Sequence, residues 1–162
     1  MLKKEKNTCK CPWIDEWYPI SKIDSDPNNP MCIERKEFKA TLRESLKNSK
    51  TIITGLGRCN KYRGVGKSTM MVGYVMSEED KCLLVFSHTI KNIFINKFGI
   101  PSEKIIATGD LEDNMDYIKG KQIVMDDIPY TEYKEVCEKI SPIKDEVKLS
   151  GTVVIERDYI VL

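Results

Sequence analysis

Apolar positions change period several times along this chain, and each change marks an element. From Glu34 to about Lys47, Phe38, Leu42 and Leu46 recur at four-residue spacing, which predicts an amphipathic helix. The β-branched run Thr51–Thr54 predicts a strand. Helical spacing returns over Lys67–Ser77, with Met71, Val72, Val75 and Met76 on the side expected to face a sheet. Cys82-Leu-Leu-Val-Phe86 is apolar throughout, as a strand covered on both faces requires. Ile90, Ile93, Phe94 and Phe98 predict the next helix, which Gly99 and Pro101 close.

A strand over Lys104–Thr108 then leads through Gly109-Asp110 to a short helix, Leu111–Ile118, closed by Gly120. Gln122-Ile-Val-Met-Asp126-Asp127 reads as a strand ending in two acids. Tyr133, Val136, Cys137 and Ile140 predict one more helix, with Thr131 as its N-cap. Thr152–Glu156 is the final strand, and the chain shows no internal repeat. Strands alternating with helices predict an α/β domain over residues 34–162, its sheet parallel and covered on both faces. Residues 1–33 hold Pro12, Pro19, Pro27 and Pro30 around Trp13, Trp17 and Tyr18. They read as an irregular N-terminal arm whose aromatics pack on the core or, alternatively, stack on a base or partner.

Composition narrows the classes. A chain of 162 residues, 41% hydrophobic and 31% charged, can bury one real core. A net charge of +1 excludes a broadly basic nucleic-acid coat but leaves room for a local basic patch. No run of eighteen apolar residues and no signal-type segment occurs, so the expectation is a cytosolic protein without a membrane partner. Cys9, Cys11 and Cys32 could be three zinc ligands, but their spacing is not a zinc-ribbon pair, and reduced thiols are the preferred reading. Cys82 and Cys137 fall on apolar faces as small core residues.

The candidate chemistry begins after the strand at Thr51. Gly55-Leu-Gly-Arg58-Cys59-Asn-Lys61-Tyr62-Arg63-Gly64-Val65-Gly66-Lys67-Ser68-Thr69 is a glycine-rich, basic loop that opens directly into a helical pattern. Glycines let backbone N–H groups curl around anionic oxygens, and a helix N-terminus adds unpaired donors. A plain glycine-rich turn with a solvated Lys67 is the structural alternative. The context of strand, loop and helix resembles the Walker A loop of the P-loop NTPases. The resemblance implies that Arg63, Gly64, Val65, Gly66, Lys67, Ser68 and Thr69 bind a nucleoside triphosphate. It further implies that Lys67 reaches the β/γ-phosphates and that Ser68 ligates Mg²⁺. One departure stands out: Lys61 occupies the position of the first motif glycine, as if the loop were swollen by Cys59–Tyr62. Arg58, Lys61 and Arg63 would neutralise triphosphate charge, contact a nucleic-acid phosphate, or remain solvated.

About sixty residues later, Ile123-Val-Met-Asp126-Asp127 resembles a Walker B strand. Asp126 would hold Mg²⁺, and Asp127 would orient the attacking water where ASCE-type NTPases usually carry glutamate. That division is marked by an additional catalytic acid and an extra strand beside the P-loop strand. The alternative is that the acids cap the turn before Pro129. The order of elements over about residues 51–157 is similar to the RecA-like domain of helicases and phage packaging motors, and Met-Asp-Asp-Ile-Pro-Tyr to helicase loaders. Thr108-Gly109-Asp110 stands in the place of a nucleic-acid-touching motif, although it is also an ordinary turn sequence. Arg157 is either a phosphate sensor or a surface arginine.

The resemblance implies a single RecA-like three-layer αβα domain with a mostly parallel five-stranded sheet. It implies an Mg²⁺-dependent ATPase, with Lys67 and Asp127 catalytic and Ser68 and Asp126 on the metal. DNA or a DNA-bound protein would be the partner, and an oligomer or partner would supply an arginine finger. The lysine- and isoleucine-rich chain is similar in style to phage or mobile-element proteins, which places it in a host cytoplasm. Two alternatives stay open: a small nucleoside or nucleotide kinase, and a nucleotide-binding module that does not hydrolyse. A GTPase is disfavoured because no Asn-Lys-x-Asp motif occurs.

Overall fold

A computed structural model of the chain describes residues 8–10, 17–19, 30–55 and 66–155. Two short strands, β1 (Thr8–Lys10) and β2 (Trp17–Pro19), pair antiparallel within the segment expected to be irregular. Helix α1 (Pro30–Lys47) begins four residues ahead of the expected start at Glu34, with Pro30 opening its first turn. Then follow β3 (Thr51–Gly55), α2 (Lys67–Met76), β4 (Lys81–Val85) and α3 (His88–Phe98). The chain continues through β5 (Ile105–Ala107), α4 (Met115–Ile118), β6 (Gln122–Pro129), α5 (Tyr130–Ile140) and β7 (Lys148–Ile155).

Strands β3 to β7 form one all-parallel sheet in the order β3-β7-β6-β4-β5. On one face, Leu42 and Leu46 of α1, Met71, Val72 and Val75 of α2, and Phe94 of α3 pack against Leu83, Val85, Ile105 and Val124. On the other, Ile118 of α4 with Val136 and Ile140 of α5 cover Cys82, Leu84, Ile123, Met125 and Val153. Helices on both faces are compatible with three αβα layers. Burial pushes the Cys82 thiol up to about 12, so it behaves as the small core residue expected.

Several local expectations are corrected. Met76 and Ile93 are exposed rather than turned to the sheet. The packed stripe of α3 runs through buried Phe94 and partly buried Ile90, Ile95 and Phe98, and Ile93 lies on the far side of Ile90 from it. Met76 sits a further residue step, about 100°, past Val75. Phe86 lies beyond the end of β4 and is exposed. Cys137 is only half-buried. Helix α5 starts at Tyr130, with Pro129 at the cap position, so Thr131 falls inside its first turn. Strand β7 starts four residues earlier than its β-branched run, because Lys148, Ser150 and Gly151 disguise it.

Candidate functional site

At the start of α2, beside the middle of β6, four polar side chains from two elements meet. Gly66 precedes α2 in the left-handed region, at φ 84° and ψ 24°, and turns the chain so that Lys67 and Ser68 open the helix. Among the described residues no side chain caps the start of this helix, whose first-turn amides lie at a positive helix end. Thr69, the third helical residue, is exposed. From the facing strand, Asp126 accepts a hydrogen bond from the Ser68 hydroxyl at 2.8 Å. Lys67 Nζ pairs with Asp127 Oδ2 and stands 4.0 Å from Asp126 Oδ1.

The two acids differ in setting. The Asp126 side chain is 7% exposed and that of Asp127 32%, so Asp126 is held deep while Asp127 is half-buried. Burial pushes the Asp126 carboxyl up to about 6, and the charge of Asp127 adds to that rise. The Lys67 charge and the Ser68 hydrogen bond work in the opposite direction. A half-buried hydroxyl and a buried carboxylate are hard oxygen donors that suit a small divalent cation such as Mg²⁺, which is held by one or two protein oxygens together with ligand and water oxygens.

A fifth residue joins the site from β7. The Asp127 N–H donates to Thr152 Oγ1 at 2.9 Å, and the Thr152 hydroxyl donates back to Asp127 Oδ1 at 2.8 Å. By its sequence pattern Thr152 is an ordinary β-branched strand residue. Its only signal is a hydroxyl at the position where β7 passes the acids, and that neighbourhood follows from strand order alone.

Of the residues expected to act, the fold brings together Lys67, Ser68, Asp126 and Asp127. Arg58, Cys59, Lys61, Arg63, Gly64, Val65 and Arg157 lie outside the described residues, as do Cys11 and Trp13. Thr108 is buried, and its hydroxyl donates to the Phe86 carbonyl at 3.0 Å, tying the end of β5 to that of β4. Asp110 stands 3.4 Å from His88. Among the described residues, no helix is long and apolar enough to cross a membrane. No protein-family model, curated protein or solved structure matches the chain.

Proposed function

We propose that this chain is an Mg²⁺-dependent P-loop ATPase of the ASCE division, with a RecA-like core and a role in handling DNA. One observation carries the reading: Lys67 and Ser68, at the N-terminus of α2, converge on two consecutive carboxylates about sixty residues away. Strand order supports the same division, since β7 stands between β3 and β6. The DNA-handling role comes from the likeness to helicases and packaging motors.

In this mechanism the first-turn amides of α2 and the Lys67 ammonium bind the triphosphate. Two carboxylates beside an anion site repel it; at 4 Å each like-charge pair is worth about 4 kcal/mol at an effective dielectric of 20. The triphosphate must therefore enter with a divalent cation, which Ser68 and Asp126 would hold. When bound, Mg²⁺ neutralises phosphate charge that builds during transfer. Lys67 exchanges the Asp127 carboxylate for phosphate oxygen, and Asp127 then orients a water molecule and accepts its proton. Water attacks the γ-phosphorus, the bond to the bridging oxygen breaks, and ADP and phosphate leave. A neighbouring subunit or partner supplies the arginine that stabilises the transition state.

Calorimetric titration with MgATP, and with ATP in EDTA, tests the reading. Wild type should bind only the magnesium complex, and Lys67→Ala should weaken binding roughly 100-fold, as loss of a charge-assisted contact implies. Unaltered binding by Lys67→Ala, or none by wild type, rejects the site. Phosphate release with and without single- and double-stranded DNA tests the partner. Phosphorylation of an added nucleoside would move the protein to the kinase class.

A further inference from the structure

In a regular strand, consecutive side chains point to opposite faces of the sheet. Val124 packs under α1 and α2, whereas Met125 packs on the α4–α5 side. Strict alternation would put Asp126 at the start of α2 and send Asp127 to the opposite face. The structure breaks that alternation. Met125 pairs with Gly151 and Ile128 with Val153, so β6 takes three steps where β7 takes two. Met125 and Ile128 consequently share one face although they are three residues apart. The extra residue is a bulge, a feature rare between parallel strands.

Asp127 sits in this bulge at φ 49°, in the left-handed region. Aspartate and asparagine enter that region more readily than longer side chains, because their short polar groups bond locally. Two features of β7 fit it. Gly151, at φ 97°, lets the β6 backbone come so close that a Cβ there would lie 2.1 Å from the Met125 carbonyl oxygen. Thr152 then holds the Asp127 amide and one of its carboxylate oxygens, leaving the other turned to Lys67.

We infer that Thr152 is the positioning residue for Asp127, and that this pinned left-handed bulge is why an aspartate serves where a glutamate would be expected. The inference rests on the hydrolytic reading of the same site. The bulge brings the carboxylate round to the face of α2, so a short side chain reaches the place that a longer one reaches from a regular strand end. Thr152 fixes its direction while Lys67 is free to change partners.

The test uses the full chain with Thr152→Val, Thr152→Ser and Asp127→Glu. Steady-state hydrolysis of MgATP should show kcat at least tenfold lower for Thr152→Val, with KM within threefold of wild type. Thr152→Ser, which keeps the hydroxyl, should recover kcat to within threefold. Asp127→Glu should lose at least tenfold despite its carboxylate, because glutamate resists the bulge conformation and overshoots the water. A Thr152→Val protein as fast as wild type, or an Asp127→Glu protein faster than wild type, overturns the inference while leaving the ATPase reading intact. If wild type turns over no ATP, that reading fails, and amide hydrogen exchange judges the positioning separately. The Asp127 amide should then exchange at least tenfold faster in Thr152→Val, and an unchanged rate overturns the inference.

Discussion

At the amino ends of β6 and β7, Gln122 and Ser150 are buried, neutral and fully engaged with each other and with the helices. A few residues further along the same strands, Asp126, Asp127 and Thr152 gather two negative charges, a left-handed residue and a bulge. The lower cluster links four elements. Gln122 Nε2 donates to the Leu46 carbonyl at 2.8 Å and to Ser150 Oγ at 3.0 Å, and so closes the end of α1 that its own helix leaves open. Such a neutral, satisfied network gives up little on folding. The upper cluster keeps a raised carboxyl and a strained backbone in place, which is a cost tolerated where a ligand relieves it. Two ends of one strand pair thus divide stability from chemistry.

The largest effect expected at the upper end comes from Gly151→Ala. Its Cβ would meet Met125 backbone atoms at 2.1, 2.7 and 2.9 Å, none of which can swing away as a side-chain tip could. The β6–β7 pairing has to open, at a cost on the order of 4 kcal/mol. Urea unfolding without nucleotide should show the loss. A variant within about 1 kcal/mol of wild type would mean that the close approach at the bulge is not required.

Asp126→Asn should act with the opposite sign. A carboxyl raised from 3.8 to about 6 on folding holds its proton more tightly in the folded protein. Its ionisation therefore costs nothing below pH 4, costs more as pH rises from 4 to 6, and costs about 3 kcal/mol above that. Asparagine cannot ionise, yet its carbonyl still accepts from Ser68. In magnesium-free buffer the variant should match wild type near pH 4 and exceed it by about 3 kcal/mol at pH 7.5. At the same time it should lose Mg²⁺-dependent nucleotide binding. A stability difference that does not change between pH 4 and 7.5 would contradict the burial penalty.

This division also explains what the sequence made legible. Lys67, Ser68, Asp126 and Asp127 stand out as a site because each belongs to a local pattern, a loop entering a helix or an apolar run ending in acids. The apolar runs of β4 and β6 and the Gly99 stop of α3 are readable for the same reason. Thr152, Gly151, Gln122 and Ser150 are not, because their roles arise only when β7 inserts between β3 and β6. Ile93 and Met76 mislead in a related way. Spacing tells which residues share a helix face, but the extent of the sheet beneath decides which of them it covers.

The smallest effect belongs to the lower end, where Tyr74→Phe removes a single oxygen. The Tyr74 hydroxyl lies 2.9 Å from Gln122 Oε1 and 3.0 Å from the Leu46 carbonyl, one O–H serving two acceptors. Leu46 keeps its bond from Gln122 Nε2, so Gln122 Oε1 is the acceptor that loses its hydrogen bond. Phenylalanine also keeps the ring over which the Lys81 ammonium sits, 4.1 Å from its centroid. The variant should therefore lose about 1 kcal/mol of stability, one buried hydrogen bond's worth, with MgATP affinity and turnover as in wild type. Thermal unfolding and nucleotide titration on the same sample would check both halves. A change in nucleotide affinity would show that the two ends of β6 and β7 are coupled through α2, which carries Lys67 at one end and Tyr74 near the other.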